Sequence, residues 1–337
     1  MRFRLTDDQR ALRQGVRDLL ARRFGRDALR AAVERPVLDR ALWRELGAAG
    51  FFALRLPEAE GGVGLGLPEA VLVFEEAGRA LLPGPLAATH LAAGRVPGAA
   101  EGETVVTTVD AGGLVEWLTE ADVVDGPNGP NRADRADRED RADRGDGGDG
   151  GDGGDGGDGG DEVAVMGGGA SGAVALRSVD PLTPLHRVPG EGRRTAAEPV
   201  AVLLTAAEQL GTATRACELA VQHARTREQF GQPIGAFQAV KHLCADLLVR
   251  VEVARAAVYA AAVTADPADI ATARLLADEA AVRGARDCLQ VYGGMGFTWE
   301  AEVHLLLKRA WVRTRRAGGG TESEELLARE LLTGAGR

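Results

Sequence analysis

A chain of 337 residues with 45% hydrophobic side chains is long enough for two or three domains and apolar enough for a real core. Most of its net charge of −10 sits between Arg132 and Glu162, where twelve acidic and five basic residues leave −7; the remaining −3 includes no basic stripe with interleaved aromatics, which excludes a nucleic-acid surface. Few aromatics and abundant Ala, Leu, Val, Arg and Gly favour helices packed through small residues over a strand-rich barrel.

Thr6 to Gln9 has the form of a capping box, so a helix begins there, with Leu12, Val16, Leu19, Leu20 and Phe24 on its apolar face. A second helix bearing Leu42, Trp43 and Leu46 ends at Gly50, and a third opens at Pro68 with Val71, Phe74 and Leu81 inward. The glycine run GGVGLGL before Pro68 reads as a loop between helices, because no βαβ unit surrounds it as a dinucleotide fingerprint requires. Short β-prone pieces follow: TVVTTV, then EVAVM and AVALRSV. Between them runs RADRADREDRADR and a D-G-G triplet repeat up to Asp161. Glycine costs the most entropy to order and the aspartates repel one another, so 130–161 is expected to be a disordered loop. Calcium-binding β-rolls also use Gly and Asp, but they need a large apolar residue in each turn, and none occurs here. These segments divide the chain into an N-terminal helical domain (1–98), a reduced β middle region (99–198) and a C-terminal helical domain (199–333).

The last of these is organised around Leu203 to Val258. Leu203, Ala207, Leu210, Thr214, Cys217, Val221 and Ala224 draw one stripe down a helix that ends near Phe230–Gly231, with Gly231 as a left-handed cap and Pro233 beyond it. Phe237, Val240, Cys244, Leu247, Val251, Ala254 and Val258 draw the seam of the next, leaving Lys241, Asp246 and Arg255 on the opposite face for solvent or a partner. A third long helix spans Asp269 to Val291 and a fourth Glu300 to Arg316, with Val303, Leu306 and Leu307 inward. The fold class is therefore mainly α, ending in a four-helix bundle. Cys217, Cys244 and Cys288 are widely spaced on predicted helices and read as buried thiols. With no C-x-x-C, no His cluster, no signal-peptide core and no long apolar run, the expectation is a cytoplasmic protein with no metal and no membrane contact.

RTREQFGQPIGAFQAVKHLCADL from Arg225, followed by QVYGGMGFTWEAEVHLLLKRA from Gln290, resembles the C-terminal helical domain of the acyl-CoA dehydrogenases, FAD enzymes that desaturate acyl thioesters. LPEAEGGVGLGLPEAVLVFEEAGRAL from Leu56 resembles the family's first helical domain. The resemblance covers both ends of the chain. The middle departs from the pattern, since the motifs of the strands and loops that cover the flavin ring are not found there. The shortness of the chain is similar to that of the short subunits of bacterial heterotetrameric acyl-CoA dehydrogenases acting on steroid side chains and other bulky CoA esters.

The resemblance implies FAD as cofactor, an acyl-CoA substrate, an electron-transfer flavoprotein or similar acceptor, and a homo- or hetero-tetramer with an acyl-CoA dehydrogenase homologue. It assigns Arg227, Phe230 and Gln238 to the dinucleotide, and Gln290, Gly293 and Gly294 to the adenosine end of a flavin held by the neighbouring subunit. Arg227 suits a pyrophosphate, because a guanidinium makes bidentate, charge-assisted bonds; singly, it also reads as a surface cation near a helix C-terminus, and Gly-Gly as a turn. The family reaction removes a proton α to the thioester carbonyl, passes hydride from the β carbon to the flavin, and requires a carboxylate base. The family's two base positions fall on Gly319, within Gly318 to Thr321, and near Ala201, so neither holds an acid. Glu198, Glu208, Glu322 and Glu324 are nearby. Glu208 and Glu322 are the candidate catalytic residues, Glu208 reading more readily as a packing-edge carboxylate.

Overall fold

The computed structural model describes residues 4–110, 112–126, 129–132, 172–189 and 197–334. The D-G-G tract and the EVAVM piece lie outside the described residues.

Five helices form the N-terminal part: α1 (Asp7–Arg23), α2 (Arg26–Glu34), α3 (Arg40–Ala48), α4 (Leu67–Arg79) and α5 (Leu86–Ala92). The expected capping box starts α1, with the Thr6 hydroxyl accepting from the Gln9 amide at 3.1 Å and the Gln9 side chain accepting from the Thr6 amide at 3.0 Å. Asp39 caps α3 by accepting from the amides of Ala41 and Leu42. Two short helices, α2 and α5, have no counterpart in the sequence reading. Each is too short to show a periodic stripe, and packing of a few residues such as Leu29 and Leu86 holds it. Helix α4 is buried from Ala70 through Gly78 and forms the axis of this part.

The middle region carries two three-stranded sheets. In one, β1 (Val106–Thr108) pairs in parallel with β3 (Val123–Gly126), which pairs antiparallel with β4 (Gly129–Arg132). In the other, β6 (Leu185–Arg187) lies between β2 (Leu114–Glu116) and β5 (Val174–Leu176), antiparallel to both. The pieces TVVTTV and AVALRSV contain β1 and β5. Strands β3, β4 and β6 have too little apolar alternation to be seen in sequence, and pairing with neighbours fixes them.

Helices α6 (Pro199–Thr226), α7 (Gln238–Thr264), α8 (Pro267–Tyr292), α9 (Val303–Arg313) and α10 (Gly319–Gly334) complete the fold. The expected bundle of four is thus extended by a fifth helix, α10. Among the described residues no helix is long and apolar enough to cross a membrane. Helix α6 also ends earlier than the glycine suggested. Phe230 and Gly231, with φ of 55° and 79°, are the two central residues of a tight hairpin between β7 (Glu228–Gln229) and β8 (Gln232–Pro233), so Gly231 turns a hairpin rather than capping a helix.

The N-terminal part is joined to the bundle where α4 crosses α6. A Cβ on Gly78 would overlap the backbone of Glu208, and one on Gly211 would overlap the Glu75 carbonyl, so only glycines let the two helices approach this closely. Acidic residues of α4 flank the crossing. Glu76 accepts two bonds from Arg17 of α1, at 2.8 and 2.6 Å, and Glu75 accepts from Tyr259 at 2.7 Å and from Arg255 at 3.3 Å on α7. Arg255 is therefore bound to the N-terminal part; of the three residues expected on the free face of α7, Lys241 and Asp246 are exposed.

Buried ion pairs attach the middle region. Arg309 of α9, 1% exposed, donates to Asp180 and to the carbonyls of Leu81, Leu82 and Leu182, while Arg316 donates to Asp110 and the Leu114 carbonyl. Cys217, Cys244 and Cys288 are free thiols, and burial pushes Cys217 up to about 11 and Cys288 up to about 12. Gly211→Ala should lower stability by about 1–3 kcal/mol in urea unfolding, because the added methyl forces α4 off α6. Gly15→Ala, in α1 with nothing within 4 Å, should be neutral or stabilising by up to about 1 kcal/mol. Equal effects would show that the crossing tolerates separation.

Candidate functional site

Two regions gather the sequence-predicted residues, and they lie at opposite ends of α6. Gln209 donates to Asp278 of α8 at 2.8 Å, and His223 stacks on Tyr292 at 4.0 Å with planes 16° apart. Both pairs share an offset of 69 residues, so α6 and α8 run parallel. Helix α7 runs back alongside them: its Arg255 donates to Thr214 at 3.0 Å, while Gly235 before its start lies against the carbonyl of Ala224. The C-terminus of α6, the N-terminus of α7 and the C-terminus of α8 therefore share one end of the bundle.

That end carries all six residues assigned to the dinucleotide. Arg227 caps α6, its amide donating to the His223 carbonyl at 2.8 Å, and its exposed guanidinium has no acidic partner among the described residues. Phe230 is 92% exposed at the hairpin tip and meets Phe237 edge-on at 6.0 Å. Gln238 opens α7 and bonds His242 at 2.9 Å. Gln290 is exposed in the last turn of α8, Gly293 ends that helix with φ of 61°, and neither Gly293 nor Gly294 has an atom of this chain within 4 Å of where a Cβ would stand. Partial burial, then the charge of Arg227, depress the basicity of His223, whose ring lies flat on Tyr292. An unpaired cation, an exposed aromatic ring and an open glycine edge fit an anionic dinucleotide approached from outside this chain.

The other region is a cleft of about 350 Å³ between the N-terminal half of α6, the end of α9, α5 and strands of the middle region. Its walls include Ala201, one of the two base positions named above, and Gly318, the chain neighbour of the other, Gly319. Glu198 and Glu208 also line it. Glu208 is 2% exposed, not at a packing edge: one carboxylate oxygen accepts from Arg313 of α9, and the other has no partner. Burial pushes the Arg313 guanidinium down to about 10. Glu322 lies elsewhere, in a separate cleft of about 510 Å³ beside Pro199, Val202 and Ile270, and Glu324 is exposed. Helix α10 begins at Gly319, whose φ is 64°, and a Cβ there would stand 2.9 Å from the Thr314 carbonyl. The backbone at this position opposes any side chain.

Arg313 and its support were missed in sequence. Val303, Leu306, Ala310 and Arg313 follow one helical stripe, so an arginine at the inward position was the available signal. Arg274, buried in α8, holds the end of α9 by donating to the Arg316 carbonyl at 2.9 Å and to the Arg313 carbonyl, and it is itself paired with Asp278 at 2.9 Å. No group of three or more potential metal ligands occurs among the described residues.

Profiles of the acyl-CoA dehydrogenase N-terminal and C-terminal domains match residues 6–97 and 200–331. Acyl-CoA dehydrogenase IpdE2 of Mycobacterium tuberculosis is 36% identical over 328 residues, covering 90% of this chain and 91% of the relative. The chain belongs to the acyl-CoA dehydrogenase family. IpdE2 of Mycolicibacterium smegmatis is 33% identical over 97% of this chain and all of its own length. In three dimensions the chain is similar to one from the ChsE4–ChsE5 complex of M. tuberculosis, with a TM-score of 0.75, 25% identity, and coverage of 98% and 99% of the two chains.

Arg313→Met would leave the Glu208 carboxylate buried without its cation and should cost about 3–5 kcal/mol in chemical denaturation. Glu208→Leu combined with Arg313→Met should restore most of that loss, since apolar replacement of a whole buried pair is often neutral. A double variant no more stable than the single one would contradict the pairing.

Proposed function

We propose that this chain is a supporting subunit of an oligomeric acyl-CoA dehydrogenase, and that the assembly desaturates an acyl-CoA thioester at its α,β bond with FAD. FAD, when bound, supplies the hydride acceptor of that reaction. The chain's own contribution is the end of the bundle. Arg227 would hold the pyrophosphate, Phe230 and Gln238 would line the dinucleotide, and Gln290, Gly293 and Gly294 would face its adenosine part. Arg227 stands nineteen residues (227 − 208) beyond Glu208, about 28 Å along α6, so these residues do not wall the chain's own cleft. They face outward, as residues completing a neighbour's flavin site would.

The observation that carries the reading is the cleft. Ala201 offers no carboxylate, and the strained backbone at Gly319 disfavours one, so the proton acceptor at both family positions is missing while the dinucleotide end is intact. The reading in which this chain is the active enzyme would rest on Glu208, whose second oxygen has no partner. That carboxylate is buried and its other oxygen is already engaged by Arg313. ChsE4–ChsE5 is a complex of two named chains, and a pairing of that kind, with reoxidation by an electron-transfer flavoprotein, suits a subunit so divided.

Expressed alone, the chain should oxidise acyl-CoA about 10² to 10⁴ times more slowly than its assembly with a full-length homologue, the usual effect of lacking a general base. Turnover on the order of 1 s⁻¹ or more by the chain alone would overturn the proposal. In the assembly, Arg227→Ala should weaken FAD retention about tenfold or more, and unaltered flavin content would remove Arg227 from the site.

A further inference from the structure

Gln238 stands on the exposed first turn of α7, at the end of the bundle that carries Arg227. Left to itself a surface glutamine moves among many rotamers, but this one is tied down. Its Nε2 lies 2.9 Å from the Nε2 of His242, four residues on along the same helix. Helical side chains lean toward the N-terminus, which brings the ring of residue 242 back over residue 238. An amide nitrogen only donates, so the ring nitrogen accepts. The Gln238 side chain makes no other hydrogen bond among the described residues, which leaves its carbonyl oxygen and its second N–H open to a ligand.

We propose that His242 is a positioning residue of the dinucleotide site, holding the Gln238 amide in place before the dinucleotide arrives. The two ends of an amide are opposite in character. Pyrophosphate oxygens only accept hydrogen bonds, so the N–H end of the amide serves them and its carbonyl oxygen repels them. Engaging one N–H with His242 fixes where the other points. Ordering a long, free side chain at the moment of binding weakens affinity by about two- to tenfold, and a side chain already ordered escapes that loss. His242 acts through Gln238 rather than on the ligand, because its outer ring nitrogen is already occupied by the amide. The spacing of four residues makes the device local to α7, so it does not depend on how the rest of the bundle end is completed by another chain.

The inference rests on the reading in which Gln238 lines the dinucleotide, and the two can fail separately. The probe is FAD itself: its release from the flavin-loaded assembly on dilution is followed by the rise in flavin fluorescence. Gln238→Ala should weaken retention about tenfold or more, as loss of a hydrogen bond to a charged group implies. His242→Phe, which keeps a ring and removes the acceptor, should weaken it about two- to tenfold. Together the two changes should do no more than Gln238→Ala alone, since His242 has no other route to the ligand. His242→Gln places an acceptor at the end of a side chain of similar reach and should restore most of the retention, which a loss through misfolding would not allow. Full retention in His242→Phe beside weakened retention in Gln238→Ala would overturn the inference and leave the flavin reading standing. A double variant whose loss is the product of the single losses would also overturn it. Full retention in Gln238→Ala would remove both Gln238 and His242 from the site, while Arg227→Ala would still decide whether this end of the bundle meets the flavin.

Discussion

The approach of α4 to α6 at Gly78 and Gly211 is the constraint on which the rest of the fold depends. Two helix backbones meet there with no side chain between them, and the contact fixes how the N-terminal helices sit on the bundle. Its surroundings follow from the charge that close packing brings together. Glu75 and Glu76 stand on the buried helix α4, and each is satisfied by cations or hydroxyls from other elements: Arg17, Arg255 and Tyr259. Buried carboxylates are costly unless paired, so these bonds specify the orientation of α1 and α7 as well as adding stability. Glu208 lies at the same crossing, where its backbone contacts Gly78 and its side chain turns toward Arg313. The contact that joins two domains therefore also places the polar pair of the cleft.

The length of α6 then separates two tasks. Its N-terminal half walls a cleft that holds a buried Glu–Arg pair, with no carboxylate at Ala201 or Gly319. Its C-terminus delivers Arg227 and the Phe230 hairpin to the end where α7 starts and α8 stops. Because α6 and α8 run parallel and α7 runs back alongside them, three segments distant in sequence arrive at one surface without any loop having to span the bundle. Arg227, with no acidic partner among the described residues, and the Phe230 ring at the hairpin tip both stand open to solvent. They make sense as half of a site whose other half belongs to another chain.

Much of this was legible in the sequence, for identifiable physical reasons. Long helices announced themselves through the stripes at Leu203–Ala224 and Phe237–Val258, since burial on one face leaves a periodic trace. The capping box at Thr6 was visible because it is a local interaction. The hairpin at Phe230–Gly231 was misread as a helix end because glycine with positive φ serves both structures, and the choice between them depends on the pairing of Glu228–Gln229 with Gln232–Pro233. Arg255 was placed on a free face because its partner, Glu75, lies 180 residues away. Strands β3, β4 and β6 and the Glu208–Arg313 pair were hidden for the same reason: each is defined by a neighbour remote in sequence. The location of Glu322 beside a different cleft likewise depends on where α10 begins, which the run of glycines from Gly318 left open.

The central claim is that this chain contributes its bundle end to a flavin whose ring is held by another subunit. A structure of the flavin-loaded assembly, determined by cryo-electron microscopy, tests it directly through one distance. The account predicts the Arg227 guanidinium within about 3 Å of the FAD pyrophosphate, at charge-assisted hydrogen-bond range, with the isoalloxazine ring of that flavin in the neighbouring subunit. A ring seated in this chain's own cleft between Ala201 and Gly318, with Arg227 in solvent, would contradict it.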